Sequence, residues 1–261
     1  MIISKKYGTY SRLFVLFVTT LLLTACTPAG FRKTRIEAAK TPVTAALHET
    51  PAIEAFIAPY REHLNKDLDS ILAYAPETFD KSQGKGSTTI GNLLAEATLE
   101  RASKLFYTQN NLPVDGCLLN HGGIRSIIAK GPVTTRTAFE VMPFENRLVI
   151  VALKGTQLQE MADYIIREKK PHPMANITVK YVTNQLHSEI YIRNDKVLPE
   201  KTYYIATMDY LLNGGDSMTF FATNEGVYDL NYKMRDLYID YFREVDTLPV
   251  ITTQHIITHQ P

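Results

Sequence analysis

The chain has 261 residues, 28 Lys and Arg against 27 Asp and Glu, a formal net charge of +1, 45% hydrophobic residues and 21% charged ones. This is ordinary globular composition, long enough for one large domain or two small ones around a substantial core. No charge excess points to a nucleic-acid surface or a polybasic membrane patch. Two cysteines, one of them at a processing site, exclude a disulfide framework and a cysteine zinc site.

In chain order, Lys5, Lys6 and Arg12 form a positive leader, followed by a mostly apolar run over residues 13–23 that only Thr19 and Thr20 interrupt. The run is shorter than the roughly 20 apolar residues that span a bilayer. It reads as a secretory signal over residues 1–25. It ends on Leu23-Thr24-Ala25-Cys26, which resembles the bacterial lipobox, in which the cysteine is acylated and the chain is cut before it. Removing the signal takes away Lys5, Lys6 and Arg12 and no acidic residue, leaving 25 basic against 27 acidic residues, a net of −2. Two or three acyl chains hold a protein on a membrane far better than one, at about 0.8 kcal/mol per buried CH₂. The expected location is the cell envelope, lipid-anchored through Cys26 to a bacterial membrane, periplasmic or surface-exposed. Residues 26–50, rich in Ala, Thr, Pro and charge, read as the acylated cysteine and a flexible tether.

Residues 51–261 read as the globular domain. Pro51 suits a first helical turn, and Ile53, Phe56, Ile57, Tyr60 and Leu64 recur on one helical face. Residues 69–79 read as extended, and 80–86 as a polar loop. A second helix is expected over 88–106, with Ile90, Leu93, Leu94, Ala97, Ala102 and Leu105 on one face. Strands are expected at 114–119, 147–153, 177–182, 189–193 and 202–207, and helices at 156–168 and 232–244. In the last helix, Met234, Leu237, Tyr238, Tyr241 and Phe242 point inward. Cys117, inside the apolar run 114–119, reads as core. Strands and helices are mixed without regular alternation, which favours an α+β fold of mixed α/β layers in a single globular domain.

Two loops draw attention. Asn120-His121-Gly122-Gly123-Ile124-Arg125 follows a buried strand. Gly122 and Gly123 allow a tight turn and a close approach by a ligand. Arg125 places a guanidinium fork beside them, suited to a phosphate or carboxylate. The alternative is a sharp turn with a surface arginine. Asn213-Gly214-Gly215-Asp216 has the same form, with Tyr210 three residues before it, and also fits a plain turn. Phe144, before the strand at 147, reads on composition alone as core.

These pieces occur in the order Ile90-Gly91-Asn92-Leu93-Leu94-Ala95-Glu96-Ala97, Asn120 to Arg125, Val141-Met142-Pro143-Phe144-Glu145-Asn146, Leu153-Lys154-Gly155, and Tyr210 to Asp216. Together they resemble the C-terminal domain of 5′-nucleotidases, a family that includes UDP-sugar hydrolases and 2′,3′-cyclic-nucleotide phosphodiesterases. The resemblance covers about residues 51–245. It implies that Arg125 holds a substrate phosphate and that Asn120 hydrogen-bonds at the ribose or phosphate end. It implies that Phe144 and Tyr210 sandwich a base, that Asp216 accepts a hydrogen bond from the nucleoside, and that Gly122, Gly123, Asn213 and Gly215 complete the substrate site. Stacking suits a broad range of bases, at about 1–3 kcal/mol each.

The sequence departs from the family pattern. Tyr210 stands where Phe is usual and Glu96 where Asp is usual. The stretch Gln83-Gly84-Lys85-Gly86-Ser87 carries no arginine where the family has phosphate-binding ones, and Lys85 lacks the bidentate fork. Ser217 and Met218 replace a Gly and an aromatic. The metal-binding half of such enzymes uses Asp, His and Asn clusters, and their signatures are absent here. Of the seven histidines, only His255 and His259 have ligand-like spacing, and they read as surface residues of a C-terminal tail. No catalytic residue, cofactor or metal is therefore assigned to this chain. Divalent metals are expected on a separate metallophosphatase partner. The expected function is nucleotide or nucleoside recognition for a split phosphohydrolase. The alternatives are a non-catalytic nucleotide-binding lipoprotein and a degenerate structural partner. No nucleic-acid polymer is expected to bind.

Overall fold

In the computed structural model, residues 3–25, 35–44, 50–82, 84, 86–182 and 188–259 are described. Cys26, much of the tether, Gln83 and Lys85 lie outside the described residues. The chain divides into two compact units, Met1–Ile53 and Glu54–Pro261. The first contains helix α1 (Ile3–Ala25). Among the described residues no helix is long and apolar enough to cross a membrane.

The second unit opens within α2 (Pro51–Leu68), which starts on Pro51 and carries an ion pair between Glu54 and Arg61. None of its residues is buried, so Ile53, Phe56, Tyr60 and Leu64 form an exposed apolar stripe. Its C-terminal end is tied down by Arg136, whose Nε donates to Asp69 Oδ1 at 2.9 Å and whose Nη2 donates to Asn65 Oδ1 at 3.0 Å. After β1 (Ile71–Ala75) comes α3 (Thr89–Asn110), capped where Thr88 Oγ1 accepts from the Gly91 amide at 3.1 Å. It runs past the expected end at 106 and stops before Asn111, which takes the left-handed conformation.

The chain then forms β2 (Gly116–Leu118), β3 (Gly131–Thr134), α4 (Thr135–Val141), β4 (Arg147–Lys154) and α5 (Gly155–Glu168). Next come β5 (Met174–Ala175), β6 (Ile177–Val182), β7 (Ser188–Ile192), β8 (Asp195–Lys196) and β9 (Thr202–Met208). The last elements are α6 (Asp209–Leu212), β10 (Gly226–Lys233), α7 (Met234–Val245) and β11 (Ile256–His259).

The central sheet has the order β10-β4-β9-β2-β5, and a second sheet has the order β11-β6-β7-β8. Every residue of β4 from Leu148 to Leu153 is buried. Successive side chains point to opposite faces of a strand, so both faces of β4 are covered. Helix α3 lies against β2, β4, β5, β9 and β10, and α5 touches β4 and β7. Helix α7 buries Met234, Leu237, Tyr238, Tyr241 and Phe242 as expected, and Cys117 is fully buried in the core.

Strands β3 and β10 and helix α4 are not evident in the sequence pattern. Strand β10 lies at one edge of its sheet, and although its burial alternates residue by residue only Leu230 is fully buried, so its apolar signal is weak. The reading of the C-terminal histidines as surface residues is corrected at His255. That side chain is 2% exposed, and its Nδ1 lies 2.7 Å from the Ile177 carbonyl. The reason is that the tail adds a parallel strand, β11, to β6, which carries His255 into the interior.

Candidate functional site

The topology brings three loops to one edge of the central sheet. Strands β2 and β9 are parallel neighbours, so their C-terminal ends emerge on the same side. Strand β4 is antiparallel to β9, with Leu148 opposite Met208, so the loop that precedes β4 arrives there too. The loop after β2 carries Asn120 to Arg125, the loop before β4 carries Phe144 and Asn146, and the turn after β9 carries Tyr210 and Asp216.

Between them lies a cavity of about 280 Å³ lined by Asn120, Gly122, Gly123, Arg125, Phe144, Asn146, Tyr210 and Asp216. Its size is near the lower end of the roughly 300–1,000 Å³ typical of small-molecule sites. Phe144 and Tyr210 are 42% and 44% exposed, so Phe144 is a wall of this cavity and not core. All of the lining residues except Asn146 are among those the sequence singles out.

Asn213 and Gly215 are not in the lining. The Asn213 amide turns back to donate to the Asp209 carbonyl at 2.8 Å. Gly215 lies beneath the Tyr210 ring, where a Cβ would stand 2.4 Å from Tyr210 Cε1. Glycine at 215 is thus what lets the ring lie against the turn. At Gly123 a Cβ would stand 2.6 Å from Asn120 Oδ1, so that glycine lets the asparagine side chain fold over its own turn.

Asp216 is the best-anchored polar group in the site. Asn120 Nδ2 donates to its Oδ2 at 2.8 Å, and the Tyr210 hydroxyl donates to its Oδ1 at 3.1 Å. Asn120 Oδ1 is buried without a partner among the described residues. Arg125 is exposed, its Nη1 donates to the Gly122 carbonyl at 3.3 Å, and among the described residues it forms no ion pair. Its guanidinium is therefore open to an anion at the cavity mouth. Nearby, Lys81 Nζ donates to the Ile124 carbonyl at 2.7 Å, which adds a second positive group beside that loop.

The Phe144 loop is held from both sides. Asn146 Nδ2 contacts Met208 Sδ at 3.1 Å, and its carbonyl accepts from the Met234 amide at 2.9 Å. Glu145 pairs with Lys233 and with Arg235, which keeps its carboxyl below the usual range.

Behind the cavity, the His121 amide donates to His172 Nδ1 at 3.3 Å. His172 is 1% exposed, and burial pushes its pKa down to about 4 against the opposing pull of Asp216. Burial also lowers His121, with Lys81 adding to the effect. Both rings are thus neutral around pH 7. Tyr164, also unforeseen, reaches in from α5 and donates to the Asp216 carbonyl at 2.7 Å. Neither His172 nor Tyr164 carries a local sequence signal, because each arrives through tertiary packing. Among the described residues no three His, Cys, Asp or Glu side chains come together to hold a metal ion. The donor set around this cavity, one carboxylate with amides and rings, does not fit a metal pair.

A family model described as 5′-nucleotidase, C-terminal domain, matches residues 70–223. A 5′-nucleotidase of Vibrio parahaemolyticus is 25% identical over 208 residues, covering 75% of this chain and 34% of the relative. Protein UshA of Yersinia enterocolitica is 23% identical over 180 residues, covering 66% and 31%. The chain thus spans about a third of the length of these curated relatives. Among solved structures, a 5′-nucleotidase precursor from Thermus thermophilus matches with a TM-score of 0.65 at 21% identity, covering 79% of this chain and 43% of that one. The NAD nucleotidase of Haemophilus influenzae matches at 0.62 and 15% identity, covering 81% and 42%. At these identities the structural likeness shows the fold.

Proposed function

The chain belongs to the 5′-nucleotidase C-terminal domain family, and on that premise we propose that it is the nucleotide- or nucleoside-recognition component of a phosphohydrolase in nucleotide catabolism. The observation that carries this reading is one cavity lined by two aromatic rings, Phe144 and Tyr210, and by Arg125, Asn120 and Asp216. Two rings suit a base, whose π-face stacks whatever its identity. Arg125 suits a phosphate, and Asp216 suits hydroxyl donors of a sugar. These residues bind and orient a ligand.

Catalysis then belongs to a separate metallophosphatase carrying divalent metals, which meets the bound phosphate at the Arg125 end. The signal-like leader and Cys26 support a lipid anchor that holds this chain at a membrane of the cell envelope.

Calorimetric titration with adenosine and AMP tests the recognition role. Phe144→Ala should weaken both ligands by about 1–3 kcal/mol if stacking carries the contact. Arg125→Ala should weaken AMP and spare adenosine. If the wild type binds neither ligand, alone or with a metallophosphatase from the same membranes, the recognition role is wrong. Turnover of AMP by the highly purified chain alone, with manganese or zinc, would overturn the division of labour.

A further inference from the structure

Asp216 and Ser217 are successive non-glycine residues with left-handed backbones, at φ 51° and φ 60°. Such conformations persist where the surroundings hold them. Every polar atom of Asp216 is engaged. Its amide donates to the Tyr210 hydroxyl at 3.3 Å, its carbonyl accepts from Tyr164, and its two carboxylate oxygens accept from Tyr210 and Asn120.

Tyr210 and Asn120 line the cavity and meet any ligand that enters it. Tyr164 is outside the lining. It is 4% exposed on α5, with the Phe220 ring edge-on at 5.6 Å, the His172 ring at 5.7 Å and the Arg167 guanidinium 5.6 Å from its ring centre. Its hydroxyl makes the shortest of the four contacts to Asp216, at 2.7 Å.

Resting on the reading of the cavity as a nucleoside site in which Asp216 meets the sugar hydroxyls, we propose that Tyr164 is a positioning residue that holds Asp216 from beneath and so strengthens its grip on a vicinal diol. An ionised carboxylate offers about four lone-pair sites. Tyr210 and Asn120 take one each, and the rest stay open to further donors. Two adjacent hydroxyls, as on a ribose, match that capacity when the carboxylate is fixed in place. Tyr164 fixes the carbonyl of the same residue, and with it the turn from which the carboxylate projects.

The test is calorimetry on the full chain with adenosine and 2′,3′-dideoxyadenosine, comparing wild type, Tyr164→Phe and Asp216→Asn. Tyr164→Phe keeps the ring and removes only the hydroxyl. It should weaken adenosine by about three- to tenfold, the size of one lost hydrogen bond, and leave the dideoxy compound unchanged. Asp216→Asn keeps a residue that tolerates the left-handed conformation and should abolish the preference for adenosine. If Tyr164→Phe weakens both compounds equally, its role is merely structural and the proposal fails. If both bind and the variant changes neither, the proposal fails while the cavity reading stands. If neither compound binds the wild type, alone or with a metallophosphatase from the same membranes, the cavity reading itself fails and takes the proposal with it.

Discussion

Asn120 and Asp216, 96 residues apart in sequence, meet at 2.8 Å between Nδ2 and Oδ2. The contact joins the loop after β2 to the turn after β9 and closes the floor of the cavity. Asn120 is 5% exposed, so its loss leaves a poorly solvated gap. Asn120→Ala should cost about 1–2 kcal/mol of stability in denaturant unfolding. It should also weaken nucleoside binding, since Asp216 loses one of its anchors. Unchanged stability and binding would mean that the two loops hold their places independently.

Arg235 sets the loop that presents Phe144. It is 7% exposed, its Cζ lies 4.1 Å from the Phe139 ring centre, and its fork reaches Glu145. Arg235→Ala removes the cation–π contact and the buried stem together and should cost about 2–4 kcal/mol. Glu145→Gln should change stability little, because the carboxylate is exposed and its ion pairs are screened by solvent. Equal losses in the two variants, measured by chemical unfolding, would contradict this division.

Stability should fall in mild acid. The folded pKa of His172 is about 4, below an unfolded value near 6.5. The unfolded chain therefore binds the extra proton first, and the contribution is fully present above about pH 6.5 and is lost as pH falls towards 4. Between about pH 7 and pH 5 the loss from this one residue is about 2 kcal/mol. His121 and His255 are shifted the same way by burial and add to the slope. His172→Gln should flatten the dependence measured by urea unfolding at the two pH values. A variant with the wild-type slope would remove His172 from the account.

Helix α2 buries no residue, whereas α3 buries residues along its length from Ile90 to Phe106. Most helical stability comes from packing of an apolar face, which α2 lacks, and Pro59 interrupts its backbone ladder. Its backbone amides should exchange at least about 100-fold faster than those of α3. Comparable protection of the two helices, in hydrogen-exchange mass spectrometry, would show that something covers the apolar stripe.

Much of this is legible in the sequence, for physical reasons. Strand β4 announces itself as a continuous apolar run, and α5 and α7 as amphipathic periods. The site loops are legible because Gly-Gly turns beside Arg125 and Asp216 follow apolar strands, and the resemblance ties them to Phe144. Asn146 closes the motif that contains Phe144 but is not assigned to the site from sequence, since nothing local tells a lining amide from a surface one. Tyr164 and His172 are unreadable because their roles depend on α5 and the segment before β5 packing behind the cavity. His255 is misread from sequence because a tail that pairs with β6 looks like any polar terminus until its partner strand is known.

The most direct test of the central claim is a crystal structure of the chain with AMP. The base should lie between Phe144 and Tyr210, the ribose hydroxyls at Asp216 and the phosphate at Arg125. A well-defined nucleotide bound elsewhere, or one with its phosphate at the two rings and its base at Arg125, would contradict it.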